Sequence, residues 1–290
     1  MKQKLSIKIT GISGYLGNLI SNELIKNGHN VSGINRALLY TEMDALRNQL
    51  SGSDIVINLA GAPILQRWNK KNRAEIYNSR VTTTQNLVKA IRSLPKNHRP
   101  RKFISASAIG IYKANGFHDE NSTNFDTGFV GEVVKNWENQ SDLLPDNVQK
   151  IIFRIGLVLG KKAKTIQNLL LPFKLGLGAT IGNGKQPFPF IHETDVARAF
   201  LWAAESFDES STFNLTAPET ITNEQFTQAL AKNLHRPAFF FIPGFVFKII
   251  LGDAAVLITQ APSVSSAKLS KKGFTFDYPD IGSAIKEITR

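Results

Sequence analysis

Thr10-Gly-Ile-Ser-Gly-Tyr-Leu-Gly17 lies between an alternating apolar stretch, Leu5-Ser-Ile-Lys-Ile9, and a run of helical periodicity from Tyr15 to Asn27 that carries Leu16, Leu19, Ile20 and Leu24 and stops at Gly28. Its glycines, Gly11, Gly14 and Gly17, are spaced three apart. Small residues at that spacing let a chain leave a strand tightly, bring backbone N–H groups close to an anion and open a helix whose positive end faces it. Glycine needed only for turn dihedrals is the plainer reading, but placement after the first strand of a βαβ unit favours a pyrophosphate-binding turn.

Working outward, Asn30 to Ile34, Asp54-Ile-Val-Ile-Asn-Leu-Ala60 and Lys102 to Ser107 read as strands, and Met43 to Leu50 and Thr82 to Ser93 as helices. The near-continuous apolar runs suit strands buried on both faces of a parallel sheet. Strands alternating with helices predict an α/β fold with a doubly wound parallel sheet. The second half changes character: Gly176, Gly178, Gly182 and Gly184 with Pro172, Pro187 and Pro189 mark an irregular segment, followed by helical stretches at Asp195 to Ser206 and Asn223 to Leu234. Residues 1–160, with a returning segment at about 190–215, are expected to form the cofactor domain; 161–189 and 216–290 are expected to form a smaller α+β substrate lobe.

The residue ending the second strand separates the two nicotinamide dinucleotides. An NAD site usually places Asp or Glu there to accept from the ribose hydroxyls. Here the strand ends Gly33-Ile-Asn-Arg36, with no acid, and Arg36 suits a 2′-phosphate through charge-assisted hydrogen bonds. The expected cofactor is NADP(H).

Composition narrows the rest. The chain has 290 residues, 42% hydrophobic and 20% charged, which excludes a disordered or fibrous chain. Without cysteine there is no disulfide, thiolate nucleophile or Cys-ligated metal. His29, His98, His118, His192 and His235 lack metal-ligand spacing, so no metal is expected. The net charge of +12 is spread in short clusters such as Lys70-Lys71 and Lys161 to Lys164 rather than in a basic arm, and no nucleic-acid partner is expected. Met1 to Thr10 reads as a strand rather than a signal peptide, and the apolar stretch Phe239 to Ile258 is broken by Pro243, Lys248 and Asp253. A cytoplasmic protein with no membrane partner is the expectation.

Together these residues resemble the extended short-chain dehydrogenase/reductase family. Its landmarks appear in order: Thr-Gly-x-x-Gly-x-x-Gly at Thr10 to Gly17, Asn58-Leu-Ala-Gly61 after what is in the family the fourth strand, Arg154-Ile-Gly-Leu-Val-Leu-Gly160 and Ile191-His-Glu-Thr-Asp195. Arg67-Trp68, Ser105-Ala-Ser-Ala-Ile-Gly110, Trp137-Glu138, Gly182-Asn-Gly-Lys-Gln186 and Gly273-Phe-Thr-Phe-Asp-Tyr-Pro279 are similar to its atypical "epimerase family" subgroup with its own C-terminal domain. The resemblance covers nearly the whole chain and implies a Rossmann-type sheet. It also implies that Gly11, Ser13, Gly14, Tyr15, Leu16 and Gly17 hold the pyrophosphate and Asn35-Arg36 the adenosine phosphate. Leu59 and Ala60 would lie beside the ribose and pyrophosphate, Arg80 and Glu75 would contact the cofactor, and Val158 would wall the nicotinamide.

The catalytic pair departs from the family pattern. The family moves its proton with a Tyr-x-x-x-Lys helix, in which lysine lowers the tyrosine pKa. Here Tyr15, Tyr40, Tyr77, Tyr112 and Tyr278 are followed four residues on by Leu19, Asp44, Val81, Gly116 and Gly282, and aligning the helix on Trp137-Glu138 puts Val130 and Val134 in the pair's places. The usual serine falls on Ala108, beside Ser107. Ser107, Tyr112 and His192 are the remaining catalytic candidates. Two readings stand: an NADP(H)-binding oxidoreductase or epimerase-like enzyme acting on a small molecule, such as a nucleotide sugar, or a non-catalytic NADP(H)-dependent binding or regulatory protein.

Overall fold

The computed structural model describes residues 3–114 and 116–290; residues 1–2 and 115 of the expected first domain lie outside it. Six strands form one parallel sheet in the spatial order Ser211–Leu215, Gln149–Ile155, Lys102–Ala108, Ile55–Asn58, Ser6–Thr10, Asn30–Gly33. The sheet is covered on both faces, because successive side chains of a strand point to opposite sides. Ile55 and Ile57 pack with Ile20 and Leu24 of helix Tyr15–Lys26 and with Val196 and Phe200 of helix Glu193–Glu205. Val56 and Phe103 face the other way, onto Leu46 and Leu50 of helix Met43–Leu50 and Leu87 and Ile91 of helix Thr83–Ser93.

One landmark shifts. The strand before Asn58-Leu-Ala-Gly61 is the third along the chain, since only a short 3₁₀ turn, Ala37–Leu39, and helix Met43–Leu50 separate it from Asn30–Gly33. The chain therefore crosses from one side of Ser6–Thr10 to the other directly after the second strand. That reversal opens a crevice at the carboxyl ends of Ser6–Thr10 and Ile55–Asn58, where doubly wound folds bind ligands.

A second apolar cluster is centred on Ile166, Phe173, Phe226, Leu230, Ala284 and Ile285, from helices Lys164–Lys174, Asn223–Asn233 and Ile281–Ile288. Buried polar groups fix helix Glu193–Glu205 both to the sheet and to the C-terminal segment. Lys102 Nζ donates to the carbonyls of Ala203 (3.2 Å) and Ala204 (3.0 Å) at the end of helix Glu193–Glu205, where a cation meets the negative end of the helix. Asp195, fully buried, accepts from the backbone N–H groups of Asp277 (2.8 Å) and Tyr278 (2.9 Å) and from Arg198 Nη1 (3.0 Å), latching the 273–279 segment onto that helix. Burial raises the Asp195 pKa, so desolvation of the carboxylate outweighs the pull of its hydrogen bonds and of Arg198. Asp195→Ala strands two amide donors and is expected to lower stability by about 2–4 kcal/mol. Urea unfolding checks this, and protease susceptibility near Tyr278 should rise with it.

Candidate functional site

The glycine turn has two kinds of glycine. Gly11 sits at φ +66, and a Cβ there would lie 2.9 Å from the Leu59 carbonyl oxygen; a Cβ on Gly17 would lie 2.1 Å from the Gly11 oxygen. Both are glycine because backbone meets backbone. Gly14 is different: it is the N-cap of helix Tyr15–Lys26 in extended backbone (φ −73, ψ 171), and its only Cβ neighbour would be the Gly11 oxygen at 3.2 Å. No side chain caps that helix and its first turn carries no acid, which leaves its positive end free for an anion.

Behind the turn, Thr10 Oγ1 donates to Asn58 Oδ1 (2.8 Å) and accepts from the N–H groups of Leu59 (2.9 Å) and Ala60 (3.1 Å). Asn58 Nδ2 in turn donates to Thr84 Oγ1 (2.8 Å) and Ser105 Oγ (3.3 Å). This buried network fixes the ends of strands Ser6–Thr10 and Ile55–Asn58 to the middle of Lys102–Ala108, so Leu59 and Ala60 flank the glycine turn with their amides already used. Tyr15 donates a hydrogen bond to Glu193, and a Cβ on Gly160 would run into both groups. Burial first and the carboxylate second push the Tyr15 phenol well above its ordinary value. Val158, in strand Leu157–Leu159, is half-buried against the sheet's core.

Asn35 Oδ1 accepts from the Ala37 amide (3.0 Å), closing a turn that leaves Arg36 76% exposed at the rim. Glu75 approaches Arg36 at 3.9 Å, so the structure puts these two candidates together as a loose, solvent-screened pair. Arg80 is the opposite case. It occupies a π-helical turn, Asn78–Thr82, lies against Gly61 and over the Trp137 ring, and donates to the carbonyls of Ala62 (3.0 Å) and Ile76 (3.3 Å). Burial pulls its pKa down to about 10, and no carboxylate offsets that among the described residues.

At the adjoining strand end, Ser107 Oγ donates to Glu138 Oε1 (2.5 Å), and Glu138 receives both Nε (2.9 Å) and Nη2 (2.7 Å) of Arg154. Arg154 Nη1 donates to Tyr112 Oη (2.6 Å), which donates to Asn214 Oδ1 (2.9 Å). Burial alone would lower the Arg154 pKa, but Glu138 and Tyr112 together outweigh it and the guanidinium stays firmly charged. For Tyr112, burial outweighs the opposing pull of Arg154 and raises the pKa. Ser107 and Tyr112 thus share one chain of hydrogen bonds in which the Tyr112 hydroxyl both accepts and donates. Glu138 and Arg154 were visible only as family landmarks; the usable signal was a charge standing in an apolar strand, Ile151-Ile-Phe-Arg-Ile155.

His192 lies elsewhere. Its Nδ1 accepts from the Thr194 amide (3.2 Å) as the N-cap of helix Glu193–Glu205, Nε2 meets Glu287 (3.2 Å), and the ring packs on Tyr278 at 3.8 Å. Gln186 Nε2 donates to the carbonyl of Ile181 in its own loop (3.0 Å). Val130 and Val134, in the places of the family's catalytic pair, are 8% and 2% exposed and pack with Ile109, Tyr112 and Val264. A tyrosine and lysine there would enter filled space. Among the described residues no group of three or more His, Cys, Asp or Glu is arranged to hold a metal, and no helix is long and apolar enough to cross a membrane.

Comparison with known proteins agrees with this architecture. The model of the NAD dependent epimerase/dehydratase family matches residues 7–216, and one described as a domain of unknown function, DUF1731, matches residues 242–288. Epimerase family protein SDR39U1 of Mus musculus is 32% identical over 295 residues, covering 98% of this chain and 99% of the relative. Epimerase family protein YfhF of Bacillus subtilis is 29% identical over 299 residues, with 98% of each covered. The crystal structure of human SDR39U1 (isoform 2) with NADPH superposes with a TM-score of 0.89 at 30% identity, covering 97% of this chain and 98% of that one.

Proposed function

Because the chain belongs to the NAD dependent epimerase/dehydratase family, we propose that it binds NADP(H) at the glycine turn and is an oxidoreductase or epimerase-like enzyme for a small molecule, with residues 161–189 and 216–290 as the substrate lobe. The observation that carries the cofactor reading is the uncapped helix end at Gly14, with Arg36 exposed at the end of the next strand and no acid in the usual ribose position. NADPH in the human relative supports it. Ser13, Gly14, Tyr15 and Leu16 would receive the pyrophosphate, Asn35 and Arg36 the 2′-phosphate, and Arg80 would offer its unpaired charge to an anionic group at the crevice. The nicotinamide would supply or accept a hydride.

This chain's own residues must then place the substrate and hold its proton. Ser107, at the end of a central strand and oriented by Glu138, is the group we assign to a substrate hydroxyl or carbonyl. Tyr112 supports it through Arg154, and His192 acts as a helix cap.

A specific observation favours the second reading, a non-catalytic NADP(H)-dependent binding or regulatory protein: apolar Val130 and Val134 fill the catalytic pair's places. Incubation with 4-deuterated NADPH and a panel of carbonyl compounds and sugar nucleotides separates the two. Label transfer that falls in Ser107→Ala supports the enzyme; tight NADPH binding with no transfer across the panel supports the regulatory protein. For the cofactor itself, Arg36→Ala is expected to weaken NADPH roughly ten- to hundredfold, the worth of ~1.5–3 kcal/mol in charge-assisted phosphate contact, with NADH unchanged. Fluorescence titration reads both, and equal wild-type affinity for the two cofactors would remove Arg36 from this role.

A further inference from the structure

The C-terminal lobe carries an apolar surface that nothing among the described residues covers. No residue of helix Gly244–Leu251 is buried; Phe245, Ile249 and Ile250 are all exposed, Ile249 to 67%. Just before it, Phe239 is 88% exposed and Phe241 68%. A second segment joins this one: strand Phe240–Ile242 pairs in parallel with Ala179–Ile181, and Arg236 Nε donates to the Lys174 carbonyl (2.9 Å). These ties bring exposed Leu171, Leu175 and Leu177 alongside. The helix is not a loose end, since Arg67 Nη2 holds the Ile249 carbonyl (2.9 Å) and Arg73 pairs with Asp253 (2.9 Å).

Charge identifies the occupant. From 164 to 177 and from 232 to 251 the charged residues are Lys164, Lys174, Lys232, Arg236 and Lys248, all exposed, with no acid among them. A second copy would set this cationic surface against itself, because a two-fold interface juxtaposes the same patch from each partner. Protein interfaces in general are poor in lysine, whereas Phe, Leu and Ile bordered by Lys and Arg is the composition of surfaces that lie in the headgroup region of anionic membranes.

We propose that this face docks the protein on the surface of an anionic lipid bilayer, with Phe245, Ile249 and Ile250 entering the headgroup boundary and Lys174, Arg236 and Lys248 meeting lipid phosphates. The eight-residue helix lies on the membrane and does not span it. The broken apolar stretch and dispersed charge of the sequence point away from a membrane partner; the exposure of this run appears only in the fold.

The test is co-sedimentation of the purified full chain with vesicles of phosphatidylcholine containing phosphatidylglycerol, compared with pure phosphatidylcholine. Binding is expected only to the anionic vesicles and should weaken with salt. The double variant Ile249→Gln with Ile250→Gln should lose at least tenfold in partitioning, and Lys248→Gln roughly fivefold. These exposed positions should leave the circular dichroism and NADPH titration of the protein unchanged. Failure to sediment with anionic vesicles, equal sedimentation with neutral ones, or a variant that still sediments like wild type each overturns the proposal. So does a self-associated species in the ultracentrifuge that the double variant dissociates.

Discussion

Gly14→Val is expected to abolish NADPH binding while leaving the protein folded. The three glycines of the turn look alike in the sequence, yet the structure divides them. Gly11 needs positive φ, and Gly17 has the Gly11 oxygen only 2.1 Å from where a Cβ would go. Substitution at either opens the turn or pushes helix Tyr15–Lys26 off the sheet, so lost binding there would be inseparable from lost structure. Gly14 has ordinary extended backbone and only one neighbour, at 3.2 Å, so the fold itself has no strong need of glycine. What a valine side chain fills at Gly14 is the space in front of the uncapped helix end. A pyrophosphate held by free amides has no room to retreat, and a loss of at least a hundredfold in affinity, about 2.7 kcal/mol, is the expected scale. Titration of NADPH fluorescence beside a circular dichroism spectrum checks it; wild-type affinity in a folded Gly14→Val protein would place the cofactor elsewhere.

What could be read in advance followed from local periodicity. The strand–glycine–helix order at Leu5 to Asn27 and the apolar runs at 54–60 and 102–107 announced a doubly wound sheet, because each signal is complete within one element. The missing strand beyond Asn30–Gly33 was hidden by family expectation, although the short span from Ile34 to Asp54 leaves little chain for another strand and crossover. Long-range chemistry was harder. Ser107 and Glu138 are 31 residues apart and His192 and Glu287 are 95 apart, so no spacing rule announces either contact. The exposed run from Phe239 to Ile250 was illegible for a related reason. Hydrophobicity tells which residues avoid water in a complete environment, and it is silent on whether this chain provides that environment.

Arg154→Met is expected to be the most damaging single change away from the sheet's apolar core. The Arg154 and Glu138 side chains are only 8% and 15% exposed, and their two-pronged contact is the centre of the chain from Ser107 to Asn214. Methionine preserves bulk, so the loss isolates charge: Glu138 stays buried without its cation, and Tyr112 loses a donor. Removing one partner of such a pair costs about 3–5 kcal/mol, which urea unfolding would read directly; a loss below ~1 kcal/mol would mean water already screens the pair. The double change Arg154→Met with Glu138→Leu should recover most of that stability, since two apolar side chains leave no orphaned charge. Ser107 would then have no acceptor to orient it. If the proposed chemistry depends on that orientation, the double variant should fold and bind NADPH like the wild type but transfer no label. Stability and the proposed proton handling rest on the same residues here and can be separated only by replacing both charges.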